Sequence, residues 1–205
     1  ILIPLSIFFI FKGSIFFNIF ILICFIISIY DWHLMSKKKI YLIPGIIFLI
    51  ISFYSIYLIR NNFNEGYLYI SFILLVCVST DIGGYIFGKL IKGPKLTKIS
   101  PNKTYSGVIG AYLLSMFTSF LFLQTLTQDN NNFYNLQILF NVFLISSVSQ
   151  SGDLIISCFK RLAHIEDTGK ILPGHGGILD RIDGMIFAFP FCYTLLTLNL
   201  FNFLR

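Results

Sequence analysis

Long apolar runs separated by short polar breaks dominate the chain, falling at about 1–11, 14–31, 40–59, 67–88, 106–127, 137–159 and 183–203. A run of roughly 17 to 25 apolar residues can cross hydrocarbon as a helix, in which every backbone donor and acceptor is satisfied within its own segment. The first run is short; the others reach or approach that length. The pattern predicts an all-α, polytopic integral membrane protein of about seven transmembrane helices. No internal repeat is visible, and the Asn-rich stretch Asp129 to Asn135 predicts an extramembrane turn. Residues 1–205 are expected to form a single membrane-embedded domain. The chain opens on Ile1 rather than Met, so trimming at the N-terminus is expected, and no basic region precedes the first run as it would in a cleavable signal peptide.

Composition agrees with bilayer as the solvent. A mean hydropathy of +0.82 and 24 phenylalanines exceed what a soluble domain of 205 residues can bury. Charge then orients the chain. If the loops 32–39, 89–105 and 160–182 face the cytoplasm, they hold Lys37, Lys38, Lys39, Lys89, Lys92, Lys95, Lys98, Lys103, Lys160, Arg161, Lys170 and Arg181, which is 12 of the 15 bases. Only Lys12, Arg60 and Arg205 fall on the other side, as the positive-inside rule requires. The net charge of +6 therefore sits on the face that meets anionic headgroups and cytosolic nucleotides. The cysteines, Cys24, Cys77, Cys158 and Cys192, have no CxxC spacing and are expected to pack as small hydrophobes. Trp32 and Tyr30 suit an aromatic belt.

Candidate chemistry lies with acids in apolar surroundings. Asp81 and Asp153 both fall inside apolar segments, where an ionised carboxylate costs about 2.5 to 3.5 kcal/mol on insertion scales and needs a partner or a water-filled cavity. On a helix, Asp153, Ser157 and Lys160 or Arg161 follow at i, i+4 and i+7 or i+8, so carboxylate, hydroxyl and base share one face. Asp180 and Asp183, at i and i+3, also share a face, and Pro173, Gly174, Gly176 and Gly177 make the preceding chain a tight loop. The two carboxylate groups are expected to meet in one cavity. Acids without a thiol or histidine cluster suit a hard ion, Mg²⁺ first, held jointly with phosphates. Lys103, Lys160, Arg161 and Arg181 would neutralise those phosphates, a combination suited to phosphoryl or nucleotidyl transfer. The FGK and GHGG glycine patterns do not fit the Walker A spacing, which excludes a soluble phosphate-loop fold.

Two blocks carry a resemblance. Ser157 to Arg161, then Glu166 and Asp167, then the run Leu172 to Asp183 resemble the signature of phosphatidate cytidylyltransferases, or CDP-diacylglycerol synthases. Thr80 to Lys89 and Lys98 to Gly107 are similar to that family's central region. Glu166 stands where Lys is usual, and Ser106 where Glu is common. The resemblance implies transfer of the cytidylyl group of CTP to phosphatidate, giving CDP-diacylglycerol and pyrophosphate with Mg²⁺. The expected setting is a bacterial inner (cell) membrane, with the site facing the cytoplasm.

By resemblance and charge, Asp153, Asp180 and Asp183 are the metal candidates. Ser157, Lys160, Arg161, His175 and Arg181 join them as catalytic candidates. Asp81, Ser100, Lys103, Gly176 and Gly177, with Lys160 and Arg161, are the substrate-binding candidates. His175 fits either loop packing or proton donation, and His33 and His164 carry little expectation of chemistry. The expected partners are CTP, phosphatidate and membrane lipid, with no nucleic acid; a second, monovalent cation and a homodimer stay open. Two other classes fit parts of the pattern. A CTP-dependent membrane kinase for a polyprenol- or phytol-type alcohol would transfer the γ-phosphoryl group and leave CDP. An ion-coupled transporter would use the acids as a relay, but it gives no reason for the run Gly174 to Asp183 in a cytosolic loop.

Overall fold

The computed structural model describes residues 2–37, 39–97, 100, 103–126, 136–169 and 176–201. Among them eight helices follow one another: α1 (Leu2–Lys12), α2 (Ser14–Ser36), α3 (Leu42–Asn62), α4 (Gly66–Ile91), α5 (Tyr105–Leu126), α6 (Leu136–Leu162), α7 (Leu179–Ile182) and α8 (Met185–Thr197). The expected apolar runs thus all form helices. Pro4 and Pro44 fall in first turns, where the missing N–H has no helical partner to lose.

Five helices, α2 to α6, are long and apolar enough to cross a membrane. The expected seven full spans are not all seen: α1 has 11 residues and α8 has 13. At 1.5 Å per residue they reach about 16 and 20 Å, short of a bilayer core of about 30 Å. Local chemistry explains where α8 stops. Asn199 takes a left-handed conformation (φ 56°), while Leu200 N donates to Leu195 O and Asn199 N to Leu196 O. This is a Schellman ending. The amide side chains of Gln137 and Asn141 on α6 then donate to Leu200 O, each at 2.8 Å.

Glycines and hydroxyls set the packing of the bundle, as expected where lipid removes any hydrophobic advantage for one apolar neighbour over another. The α4–α5 pair is the most intimate. A Cβ on Gly83 would stand 2.6 Å from Gly110 O, and one on Gly107 would stand 2.7 Å from Gly84 O. Deeper in the bundle, Thr80 Oγ1 on α4 donates to Ser146 Oγ on α6 at 2.9 Å. Pro190 interrupts α8 and frees the carbonyl of Ile186, four residues earlier, which accepts the hydroxyl of Ser52 on α3 at 2.7 Å.

The fold places the functional segment through two devices. Helix α6 ends at His164, left-handed at φ 57°, with Ile165 N bonded to Lys160 O and His164 N to Arg161 O. That second Schellman turn gives His164 a structural role and sends the chain back over the bundle. Gly152 and Gly184 let α6 and α8 approach, since Cβ atoms there would run into Phe187 and Ser149.

Substituting Gly107→Val should overpack the α4–α5 contact and cost about 1–3 kcal/mol, read as a lower apparent melting temperature in detergent. Gly84→Ala, whose added Cβ would have its nearest neighbour at 3.9 Å, should leave the melting temperature unchanged.

Candidate active site

The polar segment that follows α6 is tied down through Asp180. Its Oδ2 accepts the amides of Thr168 (2.8 Å) and Gly177 (3.0 Å), and its Oδ1 accepts Lys160 Nζ at 3.0 Å. The side chains of Lys160 and Asp180 are 16% and 7% exposed, so the pair is largely withdrawn from water. Burial alone would raise the Asp180 carboxyl, but the amides of Gly177 and Thr168, with Lys160, hold it below its ordinary value. Gly176 supplies the turn before it at φ 80°, a conformation that a Cβ would strain.

Asp153 meets a different base. One of its oxygens pairs with Lys103 and the other accepts Ser157 Oγ at 3.4 Å, so the carboxylate–hydroxyl stripe expected on α6 is formed. Lys103 comes from the loop between α4 and α5, which has its own bracing. Leu96 N donates to Lys103 O, Tyr105 N to Pro94 O and Lys103 N to Ser100 O. Thr104 caps α5 by accepting the amide of Gly107 at 3.1 Å. Ser106, where Glu is common, bonds the amide of Gly93 and the hydroxyl of Thr104 and so braces the same loop.

These groups enclose a polar cavity of about 400 Å³ lined by Asp81, Ser100, Lys103, Asp153, Lys160, Asp180 and Asp183 among others. The carboxylates of α6 and of the α7–α8 segment therefore do share one cavity. A second cavity of about 480 Å³ adjoins it. Its walls are mostly apolar and come from α1, α2, α3, α4, α7 and α8, with Ile10, Phe17, Phe20, Phe53 and Phe189 among them. Asp81, Asp180 and Asp183 line both cavities. The apolar cavity thus lies between α4 and α8 on one side and the N-terminal helices on the other.

Other candidates are more peripheral. Arg161 is exposed and lines neither cavity, while Arg181, also exposed, lines the apolar one. Gly177 acts through its amide on Asp180. Glu166 is exposed. His175 lies outside the described residues. One acid escaped the sequence reading. Asp31 on α2 is fully buried and accepts the amide of Leu179 at 3.1 Å. Its signal, a lone carboxylate beside Trp32 near the end of an apolar run, resembles an interfacial residue and does not disclose a partner 148 positions away.

The comparisons with known proteins converge on these elements. A model of the cytidylyltransferase family matches residues 40–199, a range that contains Asp81, Lys103, Asp153, Lys160, Asp180 and Asp183. This chain belongs to the cytidylyltransferase family. Proteins named phosphatidate cytidylyltransferase are similar to it. The one from Bacillus subtilis (strain 168) is 43% identical over 141 residues, covering 68% of this chain and 51% of that protein. Those from Helicobacter pylori (strain ATCC 700392 / 26695) and Staphylococcus aureus (strain COL) are 40% and 44% identical, over 72% and 65% of this chain and 52% and 50% of theirs. The chain thus spans about half the length of the curated relatives it matches. Asp31 falls before the residues that the cytidylyltransferase family model matches.

As for a metal, no group of three Asp, Glu, His or Cys side chains able to hold an ion by themselves occurs among the described residues. The expected trio of Asp153, Asp180 and Asp183 shares the cavity without forming a preassembled cage. Mg²⁺ does not need one, because it is commonly bound by one or two carboxylates together with substrate phosphates and water. Asp153 fits that use, since the groups on it are a partly exposed lysine and a serine side chain, both able to swing aside. Asp180 is committed to backbone amides that cannot.

Asp180→Ala would leave Lys160 without its partner and two amides without their acceptor. The loss of a buried pair predicts destabilisation by about 3–5 kcal/mol, measured as a lower melting temperature. Asp180→Asn keeps an acceptor for the amides and should lie between this variant and the parent.

Proposed function

We propose that this protein transfers the cytidylyl group of CTP to phosphatidate, giving CDP-diacylglycerol and pyrophosphate. The observation that carries this reading is the shared acidic wall between the two cavities. A polar space with Lys103 and Lys160 suits a triphosphate, and an apolar space of comparable size suits an acyl chain, with Asp81, Asp180 and Asp183 common to both. The family match and the names of the relatives support the same reaction.

In this reading the phosphate of phosphatidate needs no strong general base, since its second pKa is about 6 and it is largely dianionic at neutral pH. One of its oxygens bonds to the α-phosphorus of CTP while the bridging bond between the α- and β-phosphates breaks, and the bond's electron pair leaves on pyrophosphate. Lys103 turns from Asp153 to the triphosphate, and Lys160, held by Asp180, stays fixed at the cavity wall. Arg181, the basic residue among the apolar cavity's lining, serves the lipid phosphate. Asp153 and Asp183, with Asp81 as a further oxygen donor, would hold Mg²⁺ together with the phosphates, while Asp180 keeps Lys160 and the loop in place. When bound, that ion would neutralise charge building up on the α-phosphate and on the leaving pyrophosphate.

The same reading places the loops rich in lysine and arginine in the cytoplasm of a bacterial cell, where CTP is available. Helices α1 and α8 supplement the five long spans without each crossing the whole bilayer. A homodimer and a monovalent cation beside Mg²⁺ are compatible additions.

Purified protein in detergent, given phosphatidate, Mg²⁺ and CTP labelled in the cytosine, should yield lipid-soluble cytidine and one pyrophosphate per turnover. CDP together with a phosphorylated lipid alcohol would instead mark the kinase reaction and overturn the proposal. Asp153→Asn and Asp183→Asn should each abolish turnover while leaving the protein inserted and folded, whereas Glu166→Lys, at an exposed position, should keep it.

Lys103→Glu should raise KM for CTP by about tenfold or more. The increase should be larger at low salt than at high salt, because attraction of a charge of roughly −4 is screened over about 10 Å at 0.1 M. The check is KM measured across a salt series.

A further inference from the structure

Two adjacent residues on α2 grip the functional segment from both sides. Trp32, 4% exposed, stacks edge-on against Phe159 with ring centroids 5.3 Å apart and donates from Nε1 to Leu42 O at 3.1 Å. Phe159 is the residue before Lys160. On the other side Asp31, 0% exposed, accepts the amide of Leu179 at 3.1 Å, and Leu179 is the residue before Asp180. The ion pair between Lys160 and Asp180 is thus held at both ends by consecutive residues of a mostly apolar helix.

The loop is built around this carboxylate. Gly169 and Gly177 both pack so closely on Asp31 that a Cβ at either position would overlap its side-chain oxygens. Asp31 Oδ1 has no hydrogen-bond partner among the described residues, and no described lysine, arginine or histidine pairs with Asp31. A carboxylate fully withdrawn from water is costly to keep, and among the described residues it receives a backbone amide rather than a cation. An apolar residue here would avoid that cost but would leave the Leu179 amide without its acceptor. What the carboxylate provides is a fixed position for the start of α7.

We infer that Asp31 is a positioning residue for the active site: through Leu179 N it sets the place of Asp180, and through Asp180 the place of Lys160. This residue precedes the range matched by the family model. The inference rests on the cytidylyltransferase reading only for its kinetic consequence; the structural consequence can be read without any substrate.

The experiment is hydrogen–deuterium exchange on the full chain in lipid nanodiscs, without substrates, comparing the parent with Asp31→Ala and Asp31→Asn. The peptide covering 176–184 should exchange at least about tenfold faster in Asp31→Ala, with the α4 and α5 peptides unchanged. Asp31→Asn, whose amide oxygen can still accept from Leu179, should recover most of the protection. A second arm asks whether Asp31 is what the glycine packs against. Gly169→Ala should speed exchange of the same peptide severalfold in the parent and have almost no effect on the Asp31→Ala background, as contacting residues in one network are non-additive. In the kinetic arm, Asp31→Ala should lower kcat for cytidylyl transfer by at least about tenfold with KM for CTP within twofold. Val142→Ala, a buried change toward the start of α6, should lower thermal stability without that kcat loss.

Unchanged exchange at 176–184 in Asp31→Ala, or equal acceleration of every helix, would overturn the inference. So would independent effects of Gly169→Ala and Asp31→Ala. If the parent itself makes no CDP-linked lipid, the proposed reaction fails while the exchange and double-variant arms still decide the role of Asp31.

Discussion

The pair between Lys160 and Asp180 is the constraint on which the site depends. It joins the last turn of α6 to the first residues of α7 across 20 positions of chain, and both partners are mostly shielded from water. Such a pair offsets its own desolvation only if the remaining lone pairs are also used. Here they are: the amides of Thr168 and Gly177 occupy the second oxygen of Asp180. One carboxylate thereby closes the loop, fixes a lysine and delivers Asp183, three residues on, to the wall shared by two cavities.

Under the proposed reaction, that shared wall would address a problem of solubility. A lipid with a charged head and a nucleotide with three phosphates have no common solvent, so a protein that joins them must offer each its own environment within bonding distance of the other. The polar cavity draws its groups from α4, the loop before α5, α5 itself, α6 and the α7–α8 segment. The apolar cavity adds α1, α2, α3 and α8 to α4 and the α7 segment. Only the residues around Asp81, Asp180 and Asp183 belong to both. The short helix α8 suits this arrangement, because its N-terminal end meets the acids while its Asn199 turn and the caps from Gln137 and Asn141 end it early.

The close approaches that make the wall possible come from residues with little side chain. Gly83, Gly107 and Gly110 bring α4 onto α5, and Gly152 and Gly184 bring α6 onto α8. Hydroxyls then serve where a main-chain group would be stranded, as Ser52 does for the carbonyl freed by Pro190. In a bilayer each such contact has to compete with lipid tails that are as apolar as leucine, so packing and hydrogen bonding carry the specificity.

Much of this was legible in the sequence because two strong signals act locally. Apolar run length against bilayer thickness fixes the helices, and the three-to-four residue spacing on α6 fixes the stripe of Asp153 and Ser157. The resemblance carried by residues 157–183 and 80–107 identified the family from motif alone. Three features were decided only by tertiary structure. Asp180 and Asp153 have the same side chain, yet one binds backbone amides and a largely buried lysine and the other a partly exposed lysine, a difference set by where the loops land. The apolar cavity takes much of its wall from α1, α2 and α3, which carry no motif. Asp31 gains its partner from the far end of the chain. Periodicity and composition report what a segment does along its own axis, whereas a contact between residues 31 and 179 depends on how whole helices pack, and no local pattern encodes that.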